Sequence, residues 1–229
     1  MKPTDSTRWE LEHALKQTHC PICGVSQKGI ARFLDSLLYE NANDPDIRRR
    51  VTASLGLCNR HAWEMCAAHG GSLGTALLYR DALQQWQKQL DEASIRIGRA
   101  GVKQARKQIA QANASHAECL ACERQADIER RYIAVLIESL TDRAFADALR
   151  ASAGLCRPHF AQVCAMVGDP RTLDALVAIQ TEINQRLIGE LDEFIRKNDY
   201  RFMSEGFGSE GNSWIRTIER LAGAEGAAC

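Results

Sequence analysis

Between Val25 and Asn41, apolar side chains return at Ile30, Phe33, Leu34, Leu37 and Leu38. That three-and-four spacing predicts a helix with one buried face. The pattern comes back at Ile128, Tyr132, Val135, Leu136 and Leu140. After the first of these stretches, the segment NDPDIRRRVTASLG supplies Asp44 as an N-cap, Pro45 at the first helical position and Gly56 as a stop. A further helix is expected to start near Asn59. Gly154, Leu155 and Pro158 repeat that stop and restart. Longer helices are expected from about Ser72 towards Ala114, with breaks near Gly98 and Gly101, and from Arg171 to Lys197. No stretch alternates with period two, so the expected class is all-α.

The recurrence extends to the chemistry. Cys20 and Cys23 return as Cys119 and Cys122, and Cys58, His61 and Cys66 return as Cys156, His159 and Cys164. Eight of the nine cysteines therefore fall into two equivalent sets, with Cys229 alone. Self-similarity of this kind marks a duplicated unit. The expected organisation is a helical bundle of two pseudo-symmetric repeats, each with a metal site at helix junctions. Residues 1–100 hold the first metal-binding repeat with its long helix, 101–198 the second, and 199–229 a loop and a short C-terminal helix. In that last helix Trp214, Ile215, Ile218 and Leu221 form an apolar face. It is expected to dock back onto the bundle, the alternative being a partner-binding or gating segment.

Each repeat reads C-x2-C, a spacer of about 34 residues, then C-x2-H-x4-C. Two half-sites of this type are the usual supply of a tetrahedral zinc site, because two intervening residues let both side chains converge on one ion. Thiolate and imidazole also suit zinc's borderline softness. The expected ligands are Cys20, Cys23, Cys58 and His61 in one repeat and Cys119, Cys122, Cys156 and His159 in the other, with two zinc ions per chain. A redox CxxC needs no distant C-x2-H partner, and the second copy, CLAC, lacks the proline of CPIC. Cys66 and Cys164 lie five residues past their histidines, about 7.5 Å along a helix and off its face. They read as helix cysteines. In the alternative, four cysteines per repeat hold an iron–sulfur cluster, and Cys66 and Cys164 are then cofactor-binding.

Composition narrows the function classes. The 29 basic and 29 acidic residues cancel, which argues against a surface built wholly for nucleic acid or an anionic membrane. A local stripe remains: Arg96, Arg99, Lys103, Arg106 and Lys107 would share one face of the long first helix. It could meet an anionic partner, nucleic acid included. The N-terminal stretch lacks the apolar run of a signal peptide, and no membrane span is expected. Nine cysteines without export signals favour metal over disulfides, and a cytoplasmic location.

Catalytic patterns are weak. His61 and Glu64 form HxxE, but Gln162 replaces the glutamate in the second copy, and the glycine-rich tail lacks a phosphate loop's lysine. No catalytic residue is assigned, and enzymatic activity is not expected.

The stretches CPICG, YENANDPDIRRRV, GLCNRHAW, GLCRPHF and KNDYRF…SW together resemble a bacterial family of uncharacterised proteins with duplicated CPxC and GxCxxH motifs. The resemblance runs from about Cys20 to Gly223. It implies the helical fold and the eight metal residues above, and no activity. The leading expectation is a zinc-stabilised binding or adaptor protein whose partner is another protein. The alternatives are a redox or gas-sensing accessory with two iron–sulfur clusters and a nucleic-acid regulator acting through the basic stripe.

Overall fold

Asp44 and Pro45 start a helix as their sequence requires. The Asp44 carboxylate accepts from the backbone N–H groups of Asp46 and Ile47, at 2.8 and 3.0 Å. Asp142 and Asp169 cap two later helices in the same way in the computed structural model, which describes residues 5–67, 71–114 and 118–226. The described residues form eleven α-helices and no strand. In order these are α1 (Asp5–Ala14), α2 (Pro21–Tyr39), α3 (Pro45–Ala53), α4 (Asn59–Ala67), α5 (Ser72–Ala100) and α6 (Val102–Ala114). Then come α7 (Leu120–Ser139), α8 (Arg143–Ala151), α9 (Arg157–Met166), α10 (Pro170–Lys197) and α11 (Ser213–Ala222). Cys229 lies outside the described residues. No described helix is long and apolar enough to cross a membrane.

The chain forms two compact units that cut across the repeats. One comprises residues 1–28 and 127–229, the other residues 29–126. Both limits fall inside helices, α2 and α7, so each of these contributes to both units.

In the unit of residues 29–126, α5 packs on α3 and α4, and α6 lies against α5. Ile30, Leu34, Leu37, Leu38, Val51, Met65 and Leu78 are buried there. At Gly74 the approach of α5 to α2 is so close that a Cβ would come within 2.5 Å of the Leu38 carbonyl oxygen. Gly101 separates α5 from α6 at φ +80°, a backbone region that favours glycine. The basic stripe is therefore divided. Arg96 and Arg99 fall on α5, where only the backbone is described, while Lys103, Arg106 and Lys107 are exposed on α6. Its five residues thus fall on two helices, α5 and α6, rather than on one.

In the other unit, α10 packs on α8 and α11, and α11 also contacts α9. Leu11, Ile22, Ile133, Leu136, Leu149, Leu155 and Leu176 are fully buried. Helix α1 had no clear periodic signal. It is held by buried Leu11, by Arg8 donating to Asp142 at 2.5 Å and by the Tyr132 hydroxyl donating to Glu10.

Helix α11 docks with the opposite face from the one its pattern suggests. Ser213 is buried, Arg216 pairs with Glu190, and Arg220 donates to the Leu155 carbonyl at 2.7 Å. Trp214, Ile215, Ile218 and Leu221 are 44–57% exposed, so the apolar face points outward. Specific polar partners outweigh the general tendency of such a face to turn in.

The tail before α11 is pinned by Lys197, which donates to Glu210 at 2.7 Å. That bond, with the Gly208 N–H, holds the Glu210 carboxyl at about 2, below its ordinary 4.5. A depressed carboxyl stabilises the fold fully above 4.5 and loses that contribution as pH falls towards 2. Thermal melting of the wild type should therefore lose stability across this window, and Glu210→Gln should flatten that part of the profile.

Candidate metal centres

Each half-site is built at a helix start. Cys20 and Cys119 directly precede α2 and α7, and their carbonyls accept from Gly24 and Glu123, four residues on. Cys58 and Cys156 do the same for α4 and α9, accepting from Ala62 and Phe160. The second ligand of each pair, three residues later, lies one turn along on the same face. The positive end of each helix favours thiolate there. The C-x2-H placement matches the sequence reading. The C-x2-C pairs sit on helix starts as well, because α2 begins at Pro21 rather than Val25.

The half-sites meet across the repeats. Cys20 and Cys23 face Cys156 and His159, while Cys58 and His61 face Cys119 and Cys122. In each group one ligand atom per residue lies within 4.8 Å of all the others. This differs from the expected closure within a repeat. The reason is helix length: α2 carries the chain roughly 28 Å from its start, and α3 can return only about half of that. Each group lies within a single compact unit, the first in residues 1–28 and 127–229 and the second in 29–126. Each group could hold one metal ion.

In the first group the His159 Nδ1 is 3.6, 3.3 and 3.1 Å from the sulfurs of Cys20, Cys23 and Cys156. The Cys23 and Cys156 sulfurs are 3.8 Å apart. In the second, His61 Nδ1 is 3.3, 3.7 and 3.4 Å from Cys58, Cys119 and Cys122, and the sulfurs of Cys58 and Cys122 are 3.6 Å apart. Disulfide sulfurs would lie about 2.05 Å apart, so these are thiol clusters.

Electrostatics within each cluster divides the thiols. Burial opposes ionising Cys20, yet hydrogen bonds from Cys156, Cys23 and His159 hold it well below the ordinary range. Hydrogen bonds with Cys156 and Cys20, together with burial, push Cys23 far up. Cys58 and Cys119 are likewise lowered against burial, while burial and its neighbours push Cys122 up to about 12. Three close sulfurs cannot all carry charge unaided, and a bound dication removes that conflict.

Both histidines turn Nδ1 to the sulfurs and Nε2 to other side chains. His61 Nε2 meets Gln125 Oε1 at 3.2 Å and Arg60 at 2.5 Å. For His159, Glu129 Oε1 stands 3.5 Å from Nε2, which is otherwise buried without a hydrogen-bond partner among the described residues. Ser26 donates to the same Glu129 oxygen at 2.9 Å. Acceptors such as Gln125 Oε1 and Glu129 Oε1 fix the ring and raise its basicity as a ligand, whereas Arg60 is a donor and does not. Sequence reading missed all of them. Gln125 had a signal, since it follows Cys122 by three residues on one helix face, whereas Glu129 had none. Glu129→Ala should weaken metal binding at the first group by about 10–100-fold and leave the second unchanged; competition titration with a chromophoric chelator measures both.

The two groups differ in exposure. Cys20, Cys23, Cys156 and His159 are all buried, whereas Cys58 and Cys119 are half-buried and Cys122 is exposed. Cys66 is exposed, Cys164 is half-buried, and neither joins a group. Burial pushes the Cys164 thiol up, as for an inert helix cysteine.

Residues 10–227 match the model of a family of unknown function, DUF6062. The chain belongs to that family. It is also 24% identical over 212 residues to an uncharacterised 23.9 kDa protein in the xynA 3′ region of Caldicellulosiruptor sp. strain Rt8B.4. That alignment covers 92% of this chain and 98% of the relative. No solved structure matches the chain significantly.

Proposed function

We propose that each group binds one zinc ion and that the protein is a zinc-stabilised adaptor rather than an enzyme. The spacing of the ligand atoms carries this reading. A tetrahedral zinc with Zn–S near 2.3 Å and Zn–N near 2.0–2.1 Å has edges of about 3.8 Å between sulfurs and about 3.5 Å between sulfur and nitrogen. One sulfur pair in each group, Cys23–Cys156 at 3.8 Å and Cys58–Cys122 at 3.6 Å, and the sulfur–nitrogen separations of 3.1–3.7 Å lie close to these, and every other pair of ligand atoms is within 4.8 Å. Four protein ligands close the coordination shell, which suits a structural ion and leaves no open position for a reacting water. Zinc would supply cross-linking of two helix starts, α2 to α9 and α4 to α7.

Three cysteines and a histidine per group, with Cys66 and Cys164 elsewhere, favour zinc over a four-cysteine iron–sulfur cluster. The adaptor role draws on α11. Its exposed Trp214, Ile215, Ile218 and Leu221 form an apolar stripe on a helix anchored by its polar face, which fits docking of another protein. A cytoplasmic setting fits the reduced thiols this requires.

Metal analysis with an absorption spectrum, on protein purified without air, tests the reading. Two zinc per chain and a colourless solution are expected. Iron, sulfide and a broad visible band would replace it with the redox alternative.

A further inference from the structure

Arg220 lies against Gly154, where φ is +74° and where a Cβ would come within 2.6 Å of the Arg220 Nη1. The first repeat does something different at the equivalent turn. There Tyr79 of α5 covers Gly56, and its hydroxyl accepts from the Leu57 N–H at 3.2 Å. In the second repeat the N–H of Leu155, the counterpart of Leu57, is met instead by Gln180, whose amide also bonds the Leu155 carbonyl. Gly154 is covered by Ile183 of α10 and by Arg220. The unrepeated α11 brings a guanidinium to that place instead, and beside it the surface opens into a cleft of about 210 Å³.

The cleft is lined by Arg186, Arg216 and Arg220, with Glu190, Glu219 and Ser152 among the other walls. Arg216 is neutralised by Glu190. Neither Arg186 nor Arg220 is paired with a carboxylate among the described residues. Arg186 donates through Nη2 to the carbonyls of Arg150 and Ser152, both at 3.1 Å. Arg220 spends Nη1 on Leu155, and its Nε is buried without a hydrogen-bond partner among the described residues. Burial holds Arg220 below the usual guanidinium range; the Cys20 and Cys156 thiols pull it up, and the charge of Arg186 lowers it further. Two guanidinium groups thus share a partly enclosed space that keeps donors in reserve. Three arginines against two glutamates leave it net positive.

We propose that this cleft is a binding site for a small oxoanion, a carboxylate or phosphate group held between Arg186 and Arg220. Guanidinium groups are the donors best suited to the oxygens of such a group. The volume suits an inorganic ion or a compact organic acid. Glu219 at the wall would set its limit, admitting a singly charged group more readily than a highly charged one. The proposed donors are Arg186 and Arg220 themselves, with Cys20 and Cys156 acting on Arg220 only through their charge.

Calorimetric titration of the metal-loaded full chain with inorganic phosphate, and separately with acetate, tests the proposal. Saturable binding of at least one probe is expected. Arg186→Gln should weaken it at least about tenfold, as expected for losing a charged hydrogen-bond donor. Glu219→Gln should tighten it severalfold, and this second variant alters no buried contact. Thermal melting and zinc content of both variants would show whether the fold is intact. Absence of saturable binding by either probe, or affinities unmoved by both substitutions in a folded protein, would overturn the site; two bound zinc with no anion binding would leave the metal reading standing while removing this one.

Discussion

His159→Ala should bind one zinc per chain instead of two and should lose on the order of 4 kcal/mol of stability, comparable to stranding a buried charge without its partner. His159 and all three of its sulfur partners are buried, so the ligand set has no access to water that would soften the loss. The substitution leaves a lowered thiol, Cys20, beside two others in an apolar setting. Metal binding and folding are one equilibrium at such a site. Because small domains are stable by only about 5–15 kcal/mol, the stretch formed by residues 1–28 and 127–229 should become the first to open. Hydrogen exchange should show lost protection there, with α4 and α5 largely retained. His61→Ala should reverse the pattern and cost less, since Cys58 and Cys119 are half-buried and Cys122 is exposed. Retention of two zinc by either variant would contradict the ligand assignment.

The same difference in exposure predicts how metal leaves. A chromophoric chelator in excess should withdraw zinc in two phases of equal amplitude, separated by at least about tenfold in rate. An incoming ligand can approach the second group through Cys122 without any opening of the protein. The first group must wait for a local opening, and each 1.4 kcal/mol that opening costs slows release about tenfold. His61→Ala should abolish the fast phase and His159→Ala the slow one. A single phase in the wild type would mean that both groups are equally accessible.

Much of this architecture was legible because it rests on local rules. Asp44, Pro45 and Gly56 fix one helix through capping geometry, and the two-residue spacing of each ligand pair is a property of one helical turn. Periodicity located α2 and α7, and most of the apolar positions it picked out there are buried. What could not be read is non-local. A C-x2-C motif says that two ligands converge but not which C-x2-H completes the set, since that depends on where a nineteen-residue helix delivers the chain. Helix α11 misled for a related reason. Its apolar stripe is genuine, yet Arg216 and Arg220 have partners in Glu190 and the Leu155 carbonyl that turn the polar face inward. Gly101 was visible as a break, and it divides the basic stripe that spacing alone made continuous. Glu129 carried no signal, because its role at His159 depends on how α7 packs beside α9, thirty residues further along the chain.

Pairing of half-sites across the repeats is the central claim, and zinc stoichiometry in two double variants tests it most directly. Cys20→Ser/Cys156→Ser removes two ligands from one group and should retain one zinc per chain. Cys20→Ser/Cys58→Ser damages both groups and should retain none. The opposite result, none for the first pair and one for the second, would show that each repeat closes its own site and would contradict the account.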